Sequence, residues 1–104
     1  MSYVYIELKI LPQGMILMKD DNGFYYYPFP DNKQVRMYVK EEMGTIFFRL
    51  WSAEDALLWQ DHGWVPHEAI QKATEMYNKK SGFNPEKAYD IALAKAVLKA
   101  GRNE

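Results

Sequence analysis

Arg36, Tyr38 and Lys40 recur at every second position, and Phe47, Arg49 and Trp51 repeat the pattern a few residues later. A spacing of two puts each set on one side of a β-strand. Cations interleaved with aromatic rings on such a side suit phosphates, stacked bases, carboxylates or an acidic protein partner. The competing reading is purely structural: rings favour strands, and Arg or Lys laid across a ring is an ordinary cross-strand pair contributing about 0.5 to 1 kcal/mol when exposed.

A second group is Asp61-His62 with His67-Glu68, four side chains able to ligate a metal or move protons. A zincin helix needs a second His four residues after the His of His-Glu, and that position holds Gln71. Helix-end electrostatics account for the same residues, since His62 suits a negative C-terminus and Glu68 a positive N-terminus. The expectation is no metal and no cofactor. The chain has no cysteine, which excludes disulfides, thiol nucleophiles and thiolate metal sites. Its serines, Ser2, Ser52 and Ser81, offer little for a catalytic triad, and no glycine-rich phosphate cradle occurs. Asp20-Asp21-Asn22-Gly23 lacks the alternating ligands and closing Glu of a calcium loop and reads as a hairpin turn.

The elements that must position these residues follow from periodicity. Tyr3 to Ile10 alternates strictly, with Val4, Ile6, Leu8 and Ile10 on one side. Leu11-Pro12-Gln13-Gly14 forms a turn, Met15 to Lys19 a second strand, and Phe24 to Tyr27 returns beside it around Asn22-Gly23, setting Met18 opposite Tyr27. Tyr3, Tyr5 and Lys9 join the basic, aromatic side if the first strand pairs nearby. Gln34 to Glu41 and Thr45 to Trp51 form a last hairpin around Met43-Gly44. The apolar sets Val35, Met37, Val39 and Ile46, Phe48, Leu50 share a face only if its loop holds an even number of residues, since an odd loop pairs Val39 with Phe47. Two or four satisfy this. Two is tidier, because it sets Lys40 against Phe47, Tyr38 against Arg49 and Arg36 against Trp51, whereas four opposes Arg36 to Arg49.

From Ser52 the period becomes helical, and Ser52 with Asp55 resembles a capping box. Gly63-Trp64-Val65-Pro66 and Gly82-Phe83-Asn84-Pro85 then repeat a stop followed at once by a start. Trp64 is expected to fold onto Trp59, Phe83 toward Tyr77, and Gly101 onward to fray. The last helix is apolar on most sides, which requires either a position between sheet and helix or a second copy of the chain. The expected fold class is α+β, with an antiparallel meander of four to five strands over residues 3–51. Three helices, at 53–62, 66–81 and 85–100, are expected to pack on one sheet face of a single domain.

Across 104 residues, 48% hydrophobic, 26% charged and of net charge −1, nothing suggests a disordered chain or a polybasic coat for nucleic acid. A helix-turn-helix is opposed by the acidic Glu54, Asp55, Asp61 and Glu68. No leader or apolar span stands out, so a cytoplasmic location is expected, without membrane contact. The functional expectation is a small soluble, non-enzymatic interaction protein, homodimeric, that turns Arg36, Tyr38, Lys40, Phe47, Arg49 and Trp51 toward an acidic or anionic partner. The alternative is a small enzyme or ligand-binding protein. There a pocket between sheet and helices would bring Arg36, Arg49, Tyr38 or the His62 and His67 pair to an anionic small molecule.

Overall fold

The structure is a computed structural model that describes residues 9–10, 16–77 and 85–102. Its strands form an antiparallel meander in sequence order: β1 (Lys9–Ile10), β2 (Ile16–Asp20), β3 (Gly23–Tyr26), β4 (Val35–Glu42) and β5 (Thr45–Ser52), closed at its edge by β6 (Val65–Pro66). The helices are α1 (Leu58–His62), α2 (His67–Tyr77), α3 (Pro85–Ala88) and α4 (Ile91–Arg102). This is an α+β arrangement, as expected. The expected turn at Leu11 to Gly14, Tyr3 and Tyr5, and the approach of Phe83 to Tyr77 lie outside the described residues.

The β4–β5 hairpin turns through two residues. Met43 and Gly44 both have positive φ, 52° and 80°, the backbone of a type I′ turn, whose twist matches that of the strands. The register then sets Lys40 against Phe47, Tyr38 against Arg49 and Arg36 against Trp51. The β2–β3 hairpin differs from expectation. Its loop is Asp21-Asn22, with Asp20 opposite Gly23 and Met18 opposite Tyr25 rather than Tyr27. The Asp20 carboxylate accepts the Asn22 backbone N–H at 2.8 Å, closing the turn one residue early, and Gly23 begins the returning strand at φ 120°. The slip is two residues in register, so it moves no side chain to the other side of the sheet.

On one side of the sheet lies the core. Tyr26, Met37, Val39, Ile46 and Phe48 pack there with Ile70 of α2, Ala88 of α3, and Ala94, Val97 and Leu98 of α4. Burying a side chain of this size contributes roughly 1.5–3 kcal/mol. Gly101 lies in α4, and a β-carbon there would come within 2.4 Å of the Phe24 ring, so its missing side chain admits that ring. Instead of fraying at Gly101, the helix continues to Arg102, whose Nη1 meets Glu41 at 2.8 Å.

The expected helix from 85 to 100 is interrupted after Ala88. Nothing local forces this, since neither Gly nor Pro occupies 86–90. The cause is Tyr26, 62 residues earlier in sequence from Ala88. Its buried hydroxyl donates to the Ala88 carbonyl at 2.6 Å and accepts the Asp90 N–H at 3.0 Å, supplying partners for backbone groups that a helix break leaves open. Asp90 then caps α4, its carboxylate accepting the Leu93 N–H at 3.0 Å.

The first helix also departs from expectation, since residues 53–57 are turns. Strand β5 runs on to Ser52, and the Ala53 N–H extends the ladder by donating to Gln34 at 2.8 Å. Ser52 Oγ and the Asp55 carboxylate accept the N–H groups of Glu54 and Leu57, so both are used inside turns and neither caps α1. The three helical regions do not share one sheet face. Trp59 of α1 packs on Tyr38 and Arg49, on the side opposite the core. The chain then passes Gly63, at φ 63°, to β6 and α2. Hence the first two helices flank the sheet and do not form a helix-turn-helix pair. Among the described residues no helix is long and apolar enough to cross a membrane.

Candidate functional site

The side of the sheet facing away from the core carries alternate residues of four strands: Met18 and Asp20 of β2, Tyr25 of β3, Arg36, Tyr38 and Lys40 of β4, and Phe47, Arg49 and Trp51 of β5. All six residues picked out in sequence therefore stand together. They are not equally available. Tyr38 is buried, at 1% exposure, whereas Arg36, Lys40, Phe47, Arg49 and Trp51 are half-buried. The idea that the helices leave this side uncovered is corrected by α1, because Trp59 stacks edge-on against Tyr38 at 5.1 Å between centroids.

Arg36 is held internally. Its guanidinium lies between the rings of Tyr25, at 4.7 Å, and Trp51, at 4.8 Å, a geometry in which both ring faces attract the charge. Nη1 donates to Asp20 Oδ2 at 2.8 Å and to the Tyr38 hydroxyl at 3.3 Å, and that hydroxyl donates in turn to the same Asp20 oxygen. Burial opposes the guanidinium charge, but the Tyr38 hydrogen bond and the nearby Tyr25 and Asp20 outweigh it and raise the pKa. Burial, with the hydrogen bond to Asp20, raises the pKa of Tyr38 despite Arg36. Burial likewise pushes Tyr25 up to about 12, against the lowering influence of Arg36. Both tyrosines stay neutral and the guanidinium stays charged throughout the physiological range.

The other end of the same side is arranged differently. Arg49 lies 3.9 Å above the Trp59 ring and donates from Nε to the Trp59 carbonyl at 2.8 Å. Lys40 Nζ is 5.5 Å from the Phe47 ring and 4.6 Å from that of Trp64, and Arg49 is 5.9 Å from Trp64 as well. Trp64 packs on Trp59 at 6.0 Å, nearly perpendicular, as its place after Gly63 suggested. Two cations thus converge on one indole. Lys40 has a carboxylate neighbour, Glu42 at 3.0 Å, and among the described residues Arg49 has none.

Sequence reading missed Asp20, Tyr25 and Trp59 as members of this surface. The parity that groups Met18 with Tyr25 was available, but the pairing of β3 with β4 had to be known before Asp20 could be aligned with Arg36. For Trp59 there was no such signal, because its position depends on which way the chain turns after Ser52.

The histidine group does not converge. His62 Nδ1 is 2.7 Å from the Gly63 carbonyl, which can only accept, so Nδ1 carries a proton; Nε2 is 2.8 Å from the Tyr89 hydroxyl. His67 instead packs near Phe48, at 6.2 Å between ring centroids. Glu68 pairs with Lys72 at 3.5 Å. Among the described residues no three His, Asp or Glu side chains gather as metal ligands. The residues named for a pocket between sheet and helices are divided by the sheet, with Arg36, Tyr38 and Arg49 on one side and His67 beside Phe48 on the other.

Two surface cavities lined by described residues frame the sheet. One, of about 190 Å³, lies at Phe24, Leu98 and Gly101 on the core side. The larger, of about 500 Å³, lies on the outer side between Trp51 and Trp59, over the turns at 52–56, with Asn22 at its lip. No family model, no curated protein and no solved structure matches this chain.

Proposed function

We propose that this is a small, non-enzymatic interaction protein that receives an acidic segment of its partner on the outer side of its sheet, at Lys40, Arg49 and Trp64. The observation that carries this reading is the convergence of two cations on one indole, where Glu42 pairs with Lys40 and, among the described residues, no carboxylate pairs with Arg49. Lys40 and Arg49 are diagonal neighbours across the hairpin, so their charges repel, and a partner carboxylate at this corner relieves that repulsion while gaining charge-assisted hydrogen bonds. Arg49 is fixed by its stacking on Trp59 and its bond to the Trp59 carbonyl, so little side-chain entropy is lost on binding. Arg36 and Tyr38 support this surface from within, because Arg36 Nη1 and the Tyr38 hydroxyl are already directed at Asp20 and at each other, although the buried Arg36 Nε has no partner among the described residues.

For contact with a second copy of the chain, the burial of α4 favours the outer side of the sheet over the last helix. The exposed positions of α4 include Ala92, Lys95 and Lys99, while Ile91 and Leu93 pack against the core. The outer side of the sheet is then the surface on which a second copy would compete with an acidic partner.

The test is a tryptophan-emission titration with a hexaglutamate peptide at low ionic strength. Saturable binding is expected, weakened at 0.5 M salt, where the Debye length falls to about 4 Å. The Lys40→Gln/Arg49→Gln double variant, checked for folding by circular dichroism, should lose it. A flat titration of the unmodified protein, or equal binding by the double variant, refutes the proposal.

A further inference from the structure

We infer that the groove between Trp51 and Trp59 is a second site, separate from the Lys40 and Arg49 corner, and that it takes a neutral sugar ring. Its size falls in the range of small-molecule sites, about 300–1,000 Å³, and its lining includes two indoles from different elements, Trp51 of β5 and Trp59 of α1. Each indole is braced by a guanidinium, Trp51 by Arg36 at 4.8 Å and Trp59 by Arg49 at 3.9 Å. Braced rings are pre-organised platforms, which lowers the ordering cost of stacking a ligand on them.

Charge decides among ligand classes. A cation seated against these indoles would be repelled by Arg36 and Arg49, whose guanidinium groups already stack on the two rings and draw on the ring electrons that cation binding requires. An anion would meet the Asp55 carboxylate in the lining. A neutral ligand avoids both penalties. The polar groups of the lining then specify its edge. Asp55 accepts the Leu57 N–H through Oδ1 at 3.1 Å, and its other oxygen has no protein partner among the described residues. Ser52 Oγ accepts the Glu54 N–H at 3.2 Å and keeps its own proton to donate. The Asn22 carboxamide, without a protein partner among the described residues, can donate and accept at the lip. Flat apolar walls with donors and acceptors around them match a pyranose, which has C–H groups on its faces and hydroxyls around its perimeter.

The experiment follows Trp51 and Trp59 side-chain N–H resonances by NMR while neutral tetrasaccharides are added: cellotetraose, maltotetraose, mannotetraose and chitotetraose. Tetramethylammonium chloride and hexaglutamate serve as the cationic and anionic probes. At least one tetrasaccharide should shift both resonances with saturation in the millimolar range, and tetramethylammonium should not. Trp51→Phe should weaken that binding modestly and Trp51→Leu by about tenfold or more. Because Trp51 also supports Arg36, Asn22→Ala and Asp55→Asn provide a check at exposed positions, each expected to weaken binding about threefold with an unchanged fold. The Lys40→Gln/Arg49→Gln variant tests the acidic-partner reading; Lys40→Gln alone should leave sugar binding intact. Silence from all four sugars, or tetramethylammonium binding more tightly than any of them, overturns the inference whatever hexaglutamate does.

Discussion

The two sides of this sheet are built from alternate residues of the same strands, yet they cohere by different means. On the core side Met37, Val39 and Phe48 are at most 2% exposed and packed under α2, α3 and α4. On the outer side the same strands present Arg36, Lys40, Arg49 and Trp51, half-exposed, with the Arg36 guanidinium between the Tyr25 and Trp51 rings and that of Arg49 on Trp59. Removing apolar area from water is non-directional and tolerates only side chains that fill space. Stacking a guanidinium on an indole is directional and weaker, about 0.5–2 kcal/mol for each contact, but it leaves polar edges free to meet something else. One side therefore carries the stability and the other can carry recognition.

The sharpest way to break that contrast is Phe48→Ala. Phe48 is fully buried, pairs with Val39 across the strands and packs edge-on against Tyr89 at 5.6 Å. Its loss should cost about 3–5 kcal/mol through lost transfer energy and the cavity left behind, read as a fall in the urea midpoint at unchanged slope. An equal cost for Arg49→Ala would show that the outer side bears as much of the fold as the core, and would erase the distinction.

Tyr26→Phe separates packing from hydrogen bonding within the core side. The ring is retained, but the Ala88 carbonyl and the Asp90 N–H lose their shared partner. Leaving buried backbone groups unpaired costs roughly 1–3 kcal/mol. Hydrogen exchange at Asp90 should accelerate more than exchange in β4. Uniform acceleration across the sheet would mean that the helix break is not maintained by this hydroxyl.

How much of this was legible beforehand follows from the range of the forces involved. The β4–β5 register was legible because two apolar triplets and a two-residue turn constrain it within 18 residues, so parity alone rejects odd loops. The six candidate residues could be named for the same reason. The break at Tyr89-Asp90 was not legible, since its cause is a hydroxyl brought from β3 by tertiary folding. Nor was the fate of Arg36, whose charge is met by an aspartate in a different hairpin. The start of α1 was misjudged because Ser52 and Asp55 have side chains that serve turns as well as caps, and the Ala53 bond to Gln34 decides between them. Periodicity reports which side a residue takes, and the sequence carries far less about what the opposite side of that space will hold.

The smallest expected effect concerns the outer side and is read through pH. Tyr25 is pushed from 10.0 up to about 12 by burial, and it lies beneath the Arg36 guanidinium. A phenol whose pKa is higher in the folded chain holds its proton longer than in the unfolded chain. Its contribution is therefore complete below pH 10 and declines as pH rises toward 12. Tyr25→Phe cannot ionise, so the urea midpoint of the variant should fall less steeply across that window, while at pH 7 the two proteins should differ by under about 1 kcal/mol. Tyr26, raised further by deeper burial on the core side, contributes to the alkaline loss in both proteins and so cancels in the difference. Parallel curves between pH 10 and 12 would mean that the ring beneath Arg36 is as wet as in the unfolded chain. The stack would then be a surface decoration, and the outer side would have lost the rigidity on which the proposed recognition depends.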